Sequence, residues 1–376
     1  MQLPAEVSAA RSAGRRPRRL KVADVALFYG ARTGGIRTYL DAKARYAART
    51  GAFEHSVIVP GRRERHAGSR HELRSLSLAA SNGYRLPLGA SALKATLRHP
   101  PGRRALARPW WASVAVTRIA HELDAAVLAF HHVSCELEAE GLPGPSALYK
   151  TPLRAWFRHA WSEADGVVSA ADPGPDSGRA AVFPLRFGVD PVFRPPGSAP
   201  RRAQHVLYAG RLSREKGIFE LLEAAAAARQ PWPLRIVGAG PAAGAIMARA
   251  DLLGLAERIS FHPFVGDRRR LAAMYAEASC VVMPGAYETF GLVALEAAAS
   301  GARVVACASA PSGALVGSLA DTFEPGDRDG LVAAIERARR RAADLPAASA
   351  LAAAFTWERA LSAELDDVSR LVRSTR

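Results

Sequence analysis

Short apolar runs recur along the chain, separated by longer amphipathic or Ala-rich stretches. In the first half, Lys21 to Tyr29 predicts a strand, then a turn through Gly34-Gly35 and a helix to about Arg49. His55 to Val59 predicts a second strand, stopped by Pro60-Gly61. Arg62 to Arg74 is so basic that it reads as loop, as does Ser81 to Leu88, and Leu93 to Arg108 gives no clear period. Trp110 to Leu123 reads as a helix, Ala125 to Ala129 as a strand, Tyr149 to Trp161 as a helix and Gly166 to Ser169 as a strand. Asp172 to Gly178 is a Pro/Gly turn, and Pro196 to Arg202 has the composition of a linker.

The second half is more regular. Strands are expected at His205 to Ala209, Leu234 to Val237, Ile259 to Phe261, Cys280 to Met283 and Val304 to Cys307, with a short one at Phe323. Helices are expected at Phe219 to Ala228, Ala242 to Leu253, Arg270 to Ala278, Leu331 to Arg341 and from Phe355 to Val372. An Ala-rich helix that starts around Thr289 to Gly291 stops at Gly301. Strands alternating with helices, twice over, predict an α/β chain with two doubly wound domains.

Length agrees, since 376 residues exceed one typical domain. The 49% hydrophobic content is ample for two cores. Cys135, Cys280 and Cys307 are isolated, which argues against a zinc site or a disulfide framework and fits a reducing compartment. No apolar run approaches a membrane span. The Arg-rich start lacks an apolar run behind it, so it does not read as a signal peptide; residues 1–19 read as a disordered basic lead. The net charge of +16 is uneven. Residues 1–187 hold 28 Lys and Arg against 15 Asp and Glu, whereas residues 188–376 hold 23 against 20. The first half therefore attracts acidic partners such as anionic lipid headgroups, nucleic acid or phosphorylated substrates, or its charge is a compositional bias toward Arg.

The chemistry concentrates in Pro284 to Gly301, where a strand runs through a loop into a helix. A helix start behind a strand offers unpaired amides and a positive dipole end to an anion. Two carboxylates beside it, Glu288 and Glu296, are wrong for phosphate but suit vicinal hydroxyls. The stretch therefore reads as a sugar-nucleotide pocket, with Glu288 toward the sugar and Glu296 toward the ribose. Upstream, Arg211 and Lys216 in Gly210-Arg211-Leu212-Ser213-Arg214-Glu215-Lys216-Gly217 converge where a diphosphate would sit.

Glu288-Thr289-Phe290-Gly291-Leu292-Val293-Ala294-Leu295-Glu296-Ala297 resembles the E-x7-E signature of retaining GT-B glycosyltransferases, specifically glycosyltransferase family 4. The likeness covers nearly all of the second half, and in the first half the Gly34-Gly35 loop, a His after the Ala125 strand, and the segment Val182 to Pro195. It implies that Gly34 and Gly35 lie under the donor phosphates. His132, or His131 beside it, would sit at the donor sugar. Arg211 and Lys216 would bind the pyrophosphate. Val265, Thr289, Phe290, Gly291 and Leu292 would complete the donor site with Glu288 and Glu296. The family usually carries Gly where Pro263 stands, which puts base recognition in question. It also usually shows a Pro-Asp-Val strand where Arg98 to Arg104 stands, so the first sheet is either one strand poorer here or rearranged.

The expected organisation is a lead (1–19), an acceptor-side Rossmann-like domain (20–187), a hinge (188–203), a nucleotide-sugar domain (204–355) and a helix crossing back onto the first domain (356–376). The expected activity is transfer of a hexose from GDP-mannose or a UDP-sugar to a glycan or lipid-linked acceptor. Glu288, His132, Arg211 and Lys216 are the catalytic set. No cofactor and no metal are expected. Nucleic acid is not an expected partner, an anionic membrane surface is, and the expected location is the cytoplasm or its inner membrane face. A sugar-nucleotide epimerase, another GT-B enzyme, and a degenerate transferase acting as a basic binding protein stay open as alternatives.

Overall fold

The structure is a computed structural model. It describes residues 19–26, 34–77, 85–87, 90–98, 104–107, 113–131, 145, 147–169, 180–198, 203–286, 288 and 291–375. In chain order the first half comprises β1 (Leu20–Val25), α1 (Gly35–Thr50), β2 (Phe53–Gly61), β3 (Arg65–Ala67), β4 (Arg70–Ser77), β5 (Arg85–Pro87), α2 (Ala90–Arg98), β6 (Arg104–Ala107), α3 (Ser113–His121), β7 (Leu128–His131), α4 (Ala147–Ser162), β8 (Gly166–Ser169) and β9 (Ala181–Pro184). Its strands form one sheet ordered β3-β4-β2-β1-β6, with β5 on β4, and a second ordered β7-β8-β9; β6 and β7 are neighbours in space.

Two expectations need correction here, and one left open is decided. The basic run from Arg62 to Arg74 is not loop but an edge hairpin, β3 against β4, whose second strand pairs parallel with β2. Beneath the Arg residues runs an alternation with Leu73 and Ser75 buried and Arg74 and Leu76 exposed, and charge on an outermost strand also deters edge-to-edge association. Ser81 to Leu88 likewise contains β5. Finally, the sheet is not poorer for lacking Pro-Asp-Val, because Arg104–Ala107 takes the place beside β1 in parallel register. In α4, Leu153, Phe157, Ala160 and Trp161 are buried while Arg154 and Arg158 are exposed; the buried face belongs to the core of the first half. The lead, residues 27–33 and Asp172 to Gly178 lie outside the described residues.

The second half adds β10 (Val206–Ala209), α5 (Ile218–Ala227), β11 (Leu234–Val237), α6 (Ala243–Leu252), β12 (Ile259–His262), α7 (Arg268–Glu277), β13 (Cys280–Met283), α8 (Leu292–Ala299), β14 (Val304–Cys307), α9 (Pro311–Val316), β15 (Ala320–Phe323), α10 (Arg328–Arg340), α11 (Leu345–Ala354) and α12 (Trp357–Ser374). Helices α9 and α11 were not expected from periodicity. The sheet is parallel throughout, in the order β12-β11-β10-β13-β14-β15. Side chains alternate between its faces: Val206 and Tyr208 of β10 join one apolar cluster, Leu207 and Ala209 the other. Both faces are covered, which is why the central strands β10, β13 and β14 are apolar at every position.

The last helix returns to the first sheet. Trp357, Leu361, Val368, Leu371 and Val372 pack with Val22, Tyr39, Leu40, Val57 and Leu128. Inside this contact lies a buried ionic cluster. Lys43 Nζ reaches Glu364 Oε1 at 2.7 Å and Asp24 at 3.2 Å. Tyr39 Oη donates to Glu364 at 2.6 Å, and His55 Nε2 meets Asp24 Oδ2 at 2.6 Å. Burial alone would raise the Asp24 pKa, but Lys43 and His55 overcome it and hold the carboxyl at about 2. Arg186 and Arg370 both pair with buried Asp367. The chain crosses between the halves at two places that touch: Val189 N donates to Phe355 O at 2.7 Å, and a Cβ on Gly188 would fall 2.2 Å from Trp357 N.

Removing one partner from this cluster leaves an uncompensated buried charge. Glu364→Ala should cost about 3–5 kcal/mol in urea unfolding, and amide exchange should quicken along α12. Asp24 ionises lower in the folded chain than its ordinary 3.8. Its contribution, on the order of 2 kcal/mol, is therefore present above about pH 4 and lost as pH falls through about 2; Asp24→Asn should flatten that part of the stability–pH curve.

Candidate active site

The strand order of the β10–β15 sheet reverses between β10 and β13, so the loops leaving their carboxyl ends diverge and open a crevice there, the usual ligand position in such sheets. The β10 loop carries Arg211 and Lys216, and the β13 loop carries Glu288. Two glycines force these loops together. Gly217 has φ +68, and a Cβ on it would lie 2.6 Å from the Pro284 carbonyl carbon; one on Gly285 would lie 2.9 Å from Glu215 O. Behind them, Gly238 and Gly240 of the β11 loop pass so close that a Cβ would strike Gly210 O or Leu212 O. Tyr208 Oη, kept protonated by burial and by Glu288 and Glu215, donates to Arg211 O at 2.7 Å.

The result is an ion pair across the crevice: Lys216 Nζ donates to Glu288 Oε2 at 2.8 Å. Arg211 stands half-buried at the start of the same loop. Helix α8 begins at Leu292, not at Thr289, after Gly291 turns the chain with φ +59. A Cβ on Gly291 would crowd Ser312 Oγ at 3.1 Å. The first turn of α8 has no acidic residue, so its amides stay available to an anion. The small residues of this helix are explained by burial: Ala294, Ala297, Ala298 and Ala299 have no exposure at all.

Glu296 lies on α8 with 7% of its surface exposed. Its carboxylate accepts from Arg268 Nη2 at 3.0 Å. Burial lifts the Glu296 pKa to about 7; Arg268 opposes the rise and Asp190 adds to it. Arg268 and Asp190 were not picked out from the sequence. A signal existed: Arg268-Arg269-Arg270 open α7, where cations oppose the helix dipole, so a nearby carboxylate could be expected. In the first half, Gly34 caps α1 and Gly35 opens it, and a Cβ on Gly34 would meet nothing within 4 Å. Val265 is partly buried in the loop after β12, packed on the second core cluster. His131 ends β7. His132, Thr289 and Phe290 lie outside the described residues.

Residues 191–344 match the family of glycosyl transferases group 1. The GDP-mannose-dependent alpha-(1-6)-phosphatidylinositol dimannoside mannosyltransferase of Mycobacterium tuberculosis is 31% identical over 390 residues, covering 95% of this chain and 98% of that protein. The chain belongs to the group 1, family 4 glycosyltransferases. D-inositol 3-phosphate glycosyltransferase 2 of Catenulispora acidiphila is 34% identical over 229 residues, which is 56% of this chain and 52% of that one. The transferase has the GT-B fold. Sucrose-phosphate synthase of Thermosynechococcus elongatus superposes with a TM-score of 0.76 at 21% identity, over 95% of this chain and all of that one. Among the described residues no helix is long and apolar enough to cross a membrane.

A buried acid with a raised pKa weakens the fold when it ionises. Unfolded, Glu296 titrates near 4.5; folded, it titrates near 7. Stability therefore falls as pH rises from about 4.5 to about 7, by up to about 3 kcal/mol. Glu296→Gln should raise the melting temperature at pH 8 while weakening nucleotide binding, and calorimetry with titration on the two proteins separates the effects.

Proposed function

We propose that the transferase moves a hexose, mannose from GDP-mannose, onto a lipid-linked or glycan acceptor with retention of configuration. The observation that carries this reading is the Lys216–Glu288 ion pair at the switch point, with Arg211 on the same loop as Lys216 and Glu296 on the helix that follows Glu288. Phosphate oxygens suit Arg211, Lys216 and the α8 amides; vicinal hydroxyls suit Glu288 and Glu296. The choice of GDP-mannose is supported by the relative that is 31% identical over nearly the whole chain and is described as GDP-mannose-dependent.

The transition state of such transfer is oxocarbenium-like, with negative charge growing on the leaving diphosphate. Arg211, Lys216 and the positive end of α8 would meet that charge as fixed groups, which is electrostatic preorganisation. Protein cations would then do what a divalent ion does in other transferases. Glu288 would hold the sugar hydroxyls, and Lys216 beside it would turn toward the phosphate. Attack from the face of the leaving group, with a phosphate oxygen taking the acceptor proton, gives retention without a covalent intermediate. His132 and the Gly34-Gly35 helix start would close over the donor from the first half.

That relative's name includes a phosphatidylinositol mannoside, and a related acceptor at a membrane surface is the matching proposal here. The exposed Arg62 and Arg63 in the turn before β3, with Arg65 and Arg74 on the β3–β4 hairpin, supply a cationic face for it.

A thermal-shift screen against GDP, UDP and ADP, without added metal, tests the donor class. GDP at about a hundred times its dissociation constant should stabilise the chain by about 2.7 kcal/mol. Arg211→Ala should abolish the shift, and GDP-mannose turnover should fall at least a hundredfold in Glu288→Gln. A melt that no nucleotide moves would overturn the reading.

A further inference from the structure

The Arg268 side chain sits between three features that the proposed reaction treats separately. Its Nη2 donates to Glu296 Oε1 at 3.0 Å. Its Nε lies 3.6 Å from Asp190 Oδ2 in the segment joining the two halves. That Nε is buried and makes no hydrogen bond of its own. The guanidinium carbon rests 4.7 Å from the ring centre of Phe193, which is fully buried and itself sits 6.0 Å from Tyr275. A planar cation stacked on a fixed ring and aimed at a carboxylate is a preorganised arrangement.

We propose that Arg268 is a positioning residue for the donor nucleotide, holding the Glu296 carboxylate charged and aimed so that it can accept the ribose hydroxyls. This rests on the reading of Glu296 as the ribose carboxylate. Among the described residues the bond engages Oε1 alone, so the second oxygen remains to accept from a hydroxyl. The charged or titratable groups facing Glu296 are Arg268 and Tyr275 from α7 and Asp190 from the connecting segment. Tyr275 stays neutral because of burial and Glu296 itself. Asp190 opposes ionisation of Glu296, which leaves Arg268 as the group that favours it. Asp190 also lies 3.8 Å from Arg45 on α1 and accepts from Val192 N at 3.2 Å. The carboxylate that reads the ribose is thereby linked through Arg268 to the chain crossing between the halves.

The test is GDP affinity by titration calorimetry on the full chain, measured between about pH 6 and about pH 9, for the parent, Arg268→Gln, Arg268→Lys and Glu296→Gln. In the parent, affinity should rise with pH as Glu296 ionises and then level off. In Arg268→Gln the midpoint should move up by about one unit, leaving binding about fivefold weaker near neutrality and recovered at the alkaline end. Arg268→Lys should return the midpoint most of the way. A uniform loss across the whole range, or an unmoved midpoint, would overturn the proposal, since a purely structural arginine or one that touches the nucleotide directly would behave so. Glu296→Gln separates the two levels. If it binds GDP as well as the parent, the ribose reading itself fails. If it binds weakly while the Arg268→Gln midpoint is unmoved, only the role of Arg268 fails.

Discussion

The site depends on one steric constraint, the contact between the loops that leave β10 and β13. Backbone touches backbone there because Gly217 and Gly285 have no Cβ, and any side chain at Gly217 would fall inside the Pro284 carbonyl. The parallel order of the sheet sets those strands side by side, and the reversal of order at that point opens the crevice. The glycines then close it just enough that a Lys on one loop and a Glu on the other come within 2.8 Å. Further out, the Gly238 and Gly240 loop braces the first loop from behind. The placing of Arg211 and Lys216 is thus a consequence of three glycine-lined turns stacked on one sheet edge.

A second constraint acts where the last helix meets the first half. Helix α12 comes last in the chain but belongs to the core of the first half. Apolar packing alone would let such a helix slide, since burial energy has no direction. The Lys43, Asp24, Glu364 and Tyr39 contacts fix its register, because a slip would strand a charge in the interior. Both chain crossings then lie against each other at Val189 and Phe355, so a change in one crossing is felt by the other. Asp190 stands at that place, and Arg268 ties it to the donor side.

Much of this was legible in the sequence, unevenly so. The second half was read nearly strand for strand, because a sheet covered on both faces writes its strands as unbroken apolar runs bounded by glycine turns. Glu288, Glu296, Arg211 and Lys216 were found because their local spacing carries chemistry. The first half was harder. Arg65, Arg70 and Arg74 masked an edge hairpin in which Leu73 is the buried apolar side chain while Leu76 is exposed, and Arg104 to Ala107 formed a strand without a β-branched residue. Arg268 was missed for a different reason. Its partner is 28 residues away, and no local pattern records which of three adjacent arginines turns inward. Nor does spacing record that Lys43 would meet Glu364 across more than three hundred residues.

Two buried acids, Asp24 and Glu296, separate scaffold from function by the sign of their shifts. Asp24 is more deeply buried than Glu296, yet its pKa falls to about 2 while that of Glu296 climbs to about 7. Desolvation is the largest influence on both, and it pushes both upward. The difference lies in the company each keeps. Asp24 faces Lys43 and His55, enough positive charge and hydrogen bonding to overcome burial. Glu296 faces a single guanidinium, and that guanidinium is shared with Asp190. A carboxylate satisfied by its neighbours has nothing left to offer a ligand. One left under-compensated can gain free energy when hydroxyl donors arrive, because they relieve a desolvation cost the fold already bears. The deficit at Glu296 is therefore a reason for reading it as a binding residue that stands independently of the motif in which it occurs, and it follows from the geometry around Arg268.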